Sequence, residues 1–159
     1  MRNVIVGAVA GAAGTMVLDM ASYGDMAVRG RQSSNLPAEV IRRVAERAGV
    51  EPLGKPDDQV DDATKNRRSA LGALSGYGVG LTVGALYGIV RPAMRGVPML
   101  FAAVVLGGLV MAASDVPAAK LEATDPTTWS TDSWISDIVP HALYGLTTAF
   151  VFDVLTRER

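Results

Sequence analysis

The chain has 159 residues, 49% of them hydrophobic and 19% charged, with a formal net charge of −1 and a mean hydropathy of +0.25. So apolar a composition excludes a disordered or extended polar protein, and a near-zero charge without a basic block excludes the electrostatic footprint of a nucleic-acid binder. No cysteine is present, which removes disulfides, thiolate metal sites and cysteine nucleophiles, and 17 Gly against three Phe and two Trp is a composition for membrane-helix packing rather than for an aromatic-filled soluble core.

A membrane crossing takes roughly 20 predominantly apolar residues. Four stretches qualify: 3–23, 69–90, 96–114 and 134–155. The chain therefore reads as all-α, an integral membrane four-helix bundle in one domain, with an extramembrane segment over 25–68. A cleaved signal peptide is the rival reading of the first stretch, which follows Arg2, although no convincing small-residue cleavage site follows it. Val4-Ile5-Val6-Gly7 followed by Gly11 and Gly14 is also similar to a dinucleotide-binding turn. The fingerprint fails, because Val9 stands at its first glycine position and no second βαβ unit follows.

Along the first span Gly7, Gly11, Thr15 and Asp19 recur every fourth residue, and in the second Gly72, Gly76, Gly80, Gly84 and Gly88 do so without interruption. These overlapping G-x-x-x-G motifs predict close, right-handed helix crossing between the first and second spans. Each four-residue step turns about 400°, so the groove drifts by about 40° per step. A homo-oligomer whose glycine-zipper helices line a pore is the alternative use of the same pattern.

Between those spans, Ser34 or Asn35 as cap, Pro37 in the first turn and Gly49 as stop predict a short amphipathic helix. Val40, Ile41, Val44, Ala45 and Ala48 form its apolar stripe, opposite Arg42, Arg43, Glu46 and Arg47. It could lie on the membrane, dock over the bundle or bind a partner. Residues 51–68, with Pro52, Gly54, Pro56 and two aspartate pairs, read as a linker; they lack the glycine and terminal glutamate of an EF-hand loop.

The amino end, the Arg91–Arg95 turn and the carboxyl end, with Arg157 and Arg159, share one side; the long segment and the last loop share the other, here called the loop side. The long segment carries most of the Lys and Arg, whereas the last loop is acidic and holds Trp129, so the positive-inside signals conflict. Trp129, Trp134 and Tyr23 suit an interfacial belt on the loop side.

Helix direction brings Asp19, Asp115, Asp137 and His141 into the loop-side leaflet. Within the last span, Asp137, His141, Tyr144 and Thr148 share one face, and Pro140 frees the carbonyl of residue 136. Ionisable residues at such depth face the bundle interior and mark functional sites. The expected site is thus a polar cluster of Asp19, Asp115, Asp137, His141 and Tyr144 that responds to protons, with mutual structural pinning of Asp137 and His141 as the alternative. No metal or cofactor is expected from a single histidine with scattered aspartates. No enzyme is expected either, since no complete catalytic set is present.

The run Asp137-Ile138-Val139-Pro140-His141-Ala142-Leu143-Tyr144-Gly145 resembles the last helix of the YagU-like family of small multi-pass bacterial and archaeal membrane proteins without assigned activity, and the glycine-rich stretch from Gly7 to Thr15 is similar too. The resemblance implies the cytoplasmic (inner) membrane and involvement in acid resistance. Three functions are carried forward: a proton-responsive membrane protein of envelope or acid-stress physiology, an oligomeric channel or small-solute transporter, and an accessory subunit of a larger membrane complex.

Overall fold

Helix formation outruns hydrophobicity at six of the eight ends of the apolar stretches; the second stretch ends with its helix at Val90, and the helix of the third starts only at Met99. In the computed structural model, which describes residues 1–94 and 96–157, α1 runs Arg2–Arg29, α2 Leu36–Arg47, α3 Asp62–Val90, α4 Met99–Lys120 and α5 Thr131–Arg157. Short 3₁₀ turns occupy Asp57–Gln59, Arg91–Met94 and Pro126–Thr128. Arg95 and Arg159, counted above on the short-turn side, lie outside the described residues. The architecture is all-helical among the described residues, and α1, α3, α4 and α5 are each long and apolar enough to cross a membrane. At 1.5 Å per residue the 28 residues of α1 reach about 42 Å, well beyond a hydrocarbon core of about 30 Å.

The extra turns are polar and capped. Asp61 accepts from the Thr64 backbone N–H at 2.9 Å and starts α3 seven residues ahead of Ser69. α1 continues through Asp25 to Arg29 and stops at Gly30, whose φ of 64° is open to glycine at little cost. The expected linker over 51–68 is therefore corrected: its last third is helix, and the rest is wound around Arg68. That side chain is 2% exposed and donates to the carbonyl oxygens of Leu53, Pro52 and Lys55 and to Asp57 Oδ1. A buried guanidinium has five donors to satisfy, and this loop supplies the acceptors.

The bundle is built on α1, which packs against both α3 and α5; α5 in turn packs against α4, while α3 and α4 touch far less. Small residues fill the interior and large ones face out. Ala10, Ala102, Ala103 and Ala149 are buried with Tyr87, Leu106 and Phe152, whereas Leu74, Leu86, Leu100, Phe101, Val104 and Phe150 are exposed. An apolar exterior of this extent is what a lipid solvent requires.

Backbone contact between α1 and α3 follows the glycines. A Cβ on Gly7 would lie 2.3 Å from Gly84 O, on Gly11 2.4 Å from Gly80 O, and on Gly88 against Asn3 O. Two of the expected packing glycines behave differently. Gly72 meets Pro37 of α2 rather than α1, and Gly76 has no neighbour within 4 Å of an added Cβ. The drift explains both: from Gly72 to Gly88 the groove rotates by about 160°, so one partner cannot follow all five positions. Three glycines of the long helices outside the four-residue series also make close contacts, Gly14 against Tyr144 and Thr148, and Gly107 and Gly145 between α4 and α5.

α2 docks over the bundle. Ala38 and Ala45 are buried, Pro37 sits on Gly72, and Gly54 presses against Ala45 and Glu46. Val44, at 48% exposed, leaves part of the apolar stripe outside that contact. On the polar face Glu39 accepts from both Arg42 and Arg43. The Arg42 bond, reinforced by Arg43 and opposed by partial burial, holds the Glu39 carboxyl below the usual glutamate range.

Candidate functional site

Three of the five expected site residues come together at the α4–α5 contact. Gly107 and Gly145 let the two backbones approach, placing the His141 carbonyl against Gly107 and the Ala103 carbonyl against Gly145. On the loop side of this crossing, Asp115 of α4 stands beside Asp137 and His141 of α5. The imidazole is 13% exposed and the Asp137 side chain 20%.

His141 Nδ1 lies 2.7 Å from the Asp137 carbonyl oxygen and 3.3 Å from Asp137 Oδ1. A carbonyl oxygen can only accept, so Nδ1 carries a proton and donates. Nε2 is then the ring atom at which His141 gains or loses its second proton. Asp137 Oδ2 is buried without a hydrogen-bond partner among the described residues. Ser114, next to Asp115, directs its hydroxyl mainly into its own helix, to Met111 O at 2.8 Å.

Two prolines bracket the cluster. Pro117 lies inside α4 and Pro140 inside α5; each lacks an N–H and leaves the carbonyl four residues earlier, on Ala113 and on Ser136, without its helical donor. Both interruptions fall within one turn of an acidic member of the cluster. The backbone around it is consequently richer in acceptors than in donors.

The other two expected members lie elsewhere. Asp19 accepts from Tyr77 Oη at 2.8 Å, on the α1–α3 seam. It prolongs the Gly7, Gly11, Thr15 row rather than joining His141. Tyr144 is fully buried and donates to Gly80 O at 2.7 Å, with its ring against Gly14. It shares a helix face with His141 but acts as a strut between α5 and α3. Thr148, also fully buried, fills the space beside Gly14.

Two charged groups not anticipated from the sequence fasten α5 at its ends. On the loop side, Arg29 donates to Ser136 Oγ at 2.9 Å and pairs with Asp25 and Asp132, Ser136 donates to Asp25 at 3.2 Å, and Arg31 closes on Asp25 as well. On the opposite side Arg91 pairs with Asp153 at 3.3 Å and donates to the carbonyls of Met94 and Val97, while Tyr87 and Phe152 meet edge to face. The i, i+4 spacing of Asp25 and Arg29 was the available sequence signal for the first. Trp129 and Trp134 pack with ring centroids 5.0 Å apart and planes tilted by 56°, and the Trp129 indole donates to Thr124.

Among the described residues no group of three or more potential ligands is arranged to hold a metal ion. Asp115, Asp137 and His141 are each side chains able to take up and release a proton. No family model, curated protein or solved structure matches the chain.

Proposed function

We propose that this is a small multi-pass protein of the cytoplasmic membrane that serves envelope or acid-stress physiology, with Asp115, Asp137 and His141 as its proton-responsive element. Four long apolar helices support the membrane setting, and the resemblance of the Asp137–Gly145 run to the YagU-like family supports the physiology. The single observation that carries the chemistry is the fixed imidazole: Nδ1 is committed to Asp137, which leaves Nε2 to titrate beside two carboxyl groups. Lipid is the partner this surface fits.

The pore-forming alternative draws less support. Gly80, Gly84 and Gly88 are engaged by α1, and Gly72 by α2, so only Gly76 of the series is open to a neighbouring subunit. Because the chain has one histidine, selective ¹⁵N labelling in lipid nanodiscs reports on it alone. Nε2 should pass between protonated and deprotonated forms across the range from about pH 5 to 8 in which histidine ordinarily acts. A ring that keeps one protonation state throughout that range refutes the proposal.

A further inference from the structure

Asp137 presents a donor deficit that its own helix cannot meet. Its Oδ2 is buried and unpartnered among the described residues. The proton on His141 Nδ1 is directed to the main-chain oxygen at 2.7 Å and reaches Oδ1 only at 3.3 Å. Pro140 has no N–H to offer. From α4, the Ser114 hydroxyl is used by Met111 O at 2.8 Å, with a longer approach of 3.3 Å to Asp115 Oδ1. From α1 and the turn that follows it, the facing charges are Asp25, Arg29 and Arg31; these pair with one another, with Ser136 and with Asp132, toward the helix ends. The group left beside Asp137 is the carboxyl of Asp115.

Two carboxylates side by side in a membrane span repel each other and lose hydration at once, and a buried acceptor without a donor adds a further penalty. One proton removes the repulsion, supplies the missing donor and leaves a single charge to be desolvated. We infer that Asp115 and Asp137 share a single proton, the Asp115 carboxyl O–H donating to Asp137 Oδ2, so that the pair carries one negative charge toward the His141 ring. No bond other than O–H is made or broken: a proton leaving the pair leaves two carboxylates, and one arriving leaves two neutral acids. This deepens the proposed function by naming where the cluster's resident proton lies, with His141 as the adjoining site.

Infrared spectroscopy of the full chain in lipid reads this directly, because a protonated carboxyl has a C=O stretch distinct from carboxylate. At neutral pH the wild type should show that stretch. Asp115→Asn, whose amide can still donate to Oδ2 and so preserves the packing, should abolish it. His141→Gln should retain it. The inference is overturned if the wild type has no protonated-carboxyl stretch at neutral pH, as with a water in the proton's place, or if the stretch survives Asp115→Asn, which would place the proton on another acid such as Asp19. A stretch that behaves as expected beside a histidine that does not titrate would sustain the shared proton while refuting the proton-responsive function.

Discussion

Gly84 and Gly76 lie on the same helix, two turns apart, and alanine at each should have opposite effects. At Gly84 the new methyl would lie 2.4 Å from Gly7 O and 2.7 Å from Gly11 Cα. Both obstacles are backbone, so neither can rotate aside. Ordinary contact is about 3.4–4 Å, which requires α1 and α3 to separate by about 1 Å at this point. That movement also loosens Gly7, Gly11 and Gly80, because the same approach serves all four. Overpacking costs about 1–3 kcal/mol, against a gain of up to about 1 kcal/mol from replacing helical glycine by alanine. Gly84→Ala should therefore be destabilised by about 1–2 kcal/mol. Gly76→Ala meets nothing within 4 Å and should be neutral or more stable by up to about 1 kcal/mol. Reversible unfolding in mixed micelles compares the two directly. Equal stabilities, or Gly76→Ala as the weaker protein, would refute the assignment of the groove to α1.

Arg68→Ala should cost at least about 2 kcal/mol, since it removes four acceptor bonds around a buried guanidinium. Limited proteolysis should then cut within 52–57, and an uncut loop would argue against the clamp. Glu39 has its pKa lowered in the folded state by Arg42 and Arg43, so its contribution to stability is present above the unfolded pKa and is lost as pH falls through the folded one. Unfolding measured on the acid side of about pH 4.5 should show this loss, and Glu39→Gln should flatten it; an unchanged acid limb would refute it. Tyr144→Phe should lower stability by about 1 kcal/mol through loss of the bond to Gly80 O while leaving the His141 titration unmoved. A displaced titration would return Tyr144 to the cluster.

Those tests divide along a line already visible in how the chain can be read. The four crossings were legible because apolar content reports directly on what lipid will accept. Helix ends were not, because hydropathy is silent about capping: Asp61 and Gly30 set boundaries that the apolar stretches do not mark. The α1–α3 groove was legible from its four-residue spacing, and its failure at Gly72 and Gly76 was implicit in the drift of that spacing. The cluster was half legible. Depth and helix face place Asp137, His141 and Tyr144 together, yet rotation of α5 sends Tyr144 to Gly80 and Gly14. Asp19 has the right depth and faces the wrong neighbour, because the row that begins at Gly7 is committed to α3.

The arrangement of α5 constrains how a proton could be felt by the rest of the molecule. Its loop-side start is tied to α1 through Ser136, Asp132, Asp25 and Arg29, and its far end to the α3–α4 turn through Asp153 and Arg91. Between those ties, Tyr144 and Gly14 wedge it against α1, and Gly145 brings it onto Ala103. Rigid translation of α5 would break both sets of charge pairs, which are costly to leave uncompensated in or near a bilayer. Asp137, Pro140 and His141 occupy the stretch of α5 between the loop-side tie and the Tyr144 wedge. A change in charge at Asp115, Asp137 or His141 is therefore most cheaply accommodated there, by bending at Pro140 against α4. The α3–α4 seam, looser than the contacts of α1 with α3, α1 with α5 and α4 with α5, is where such a bend can move α4 without disturbing the glycine contact of α1 with α3.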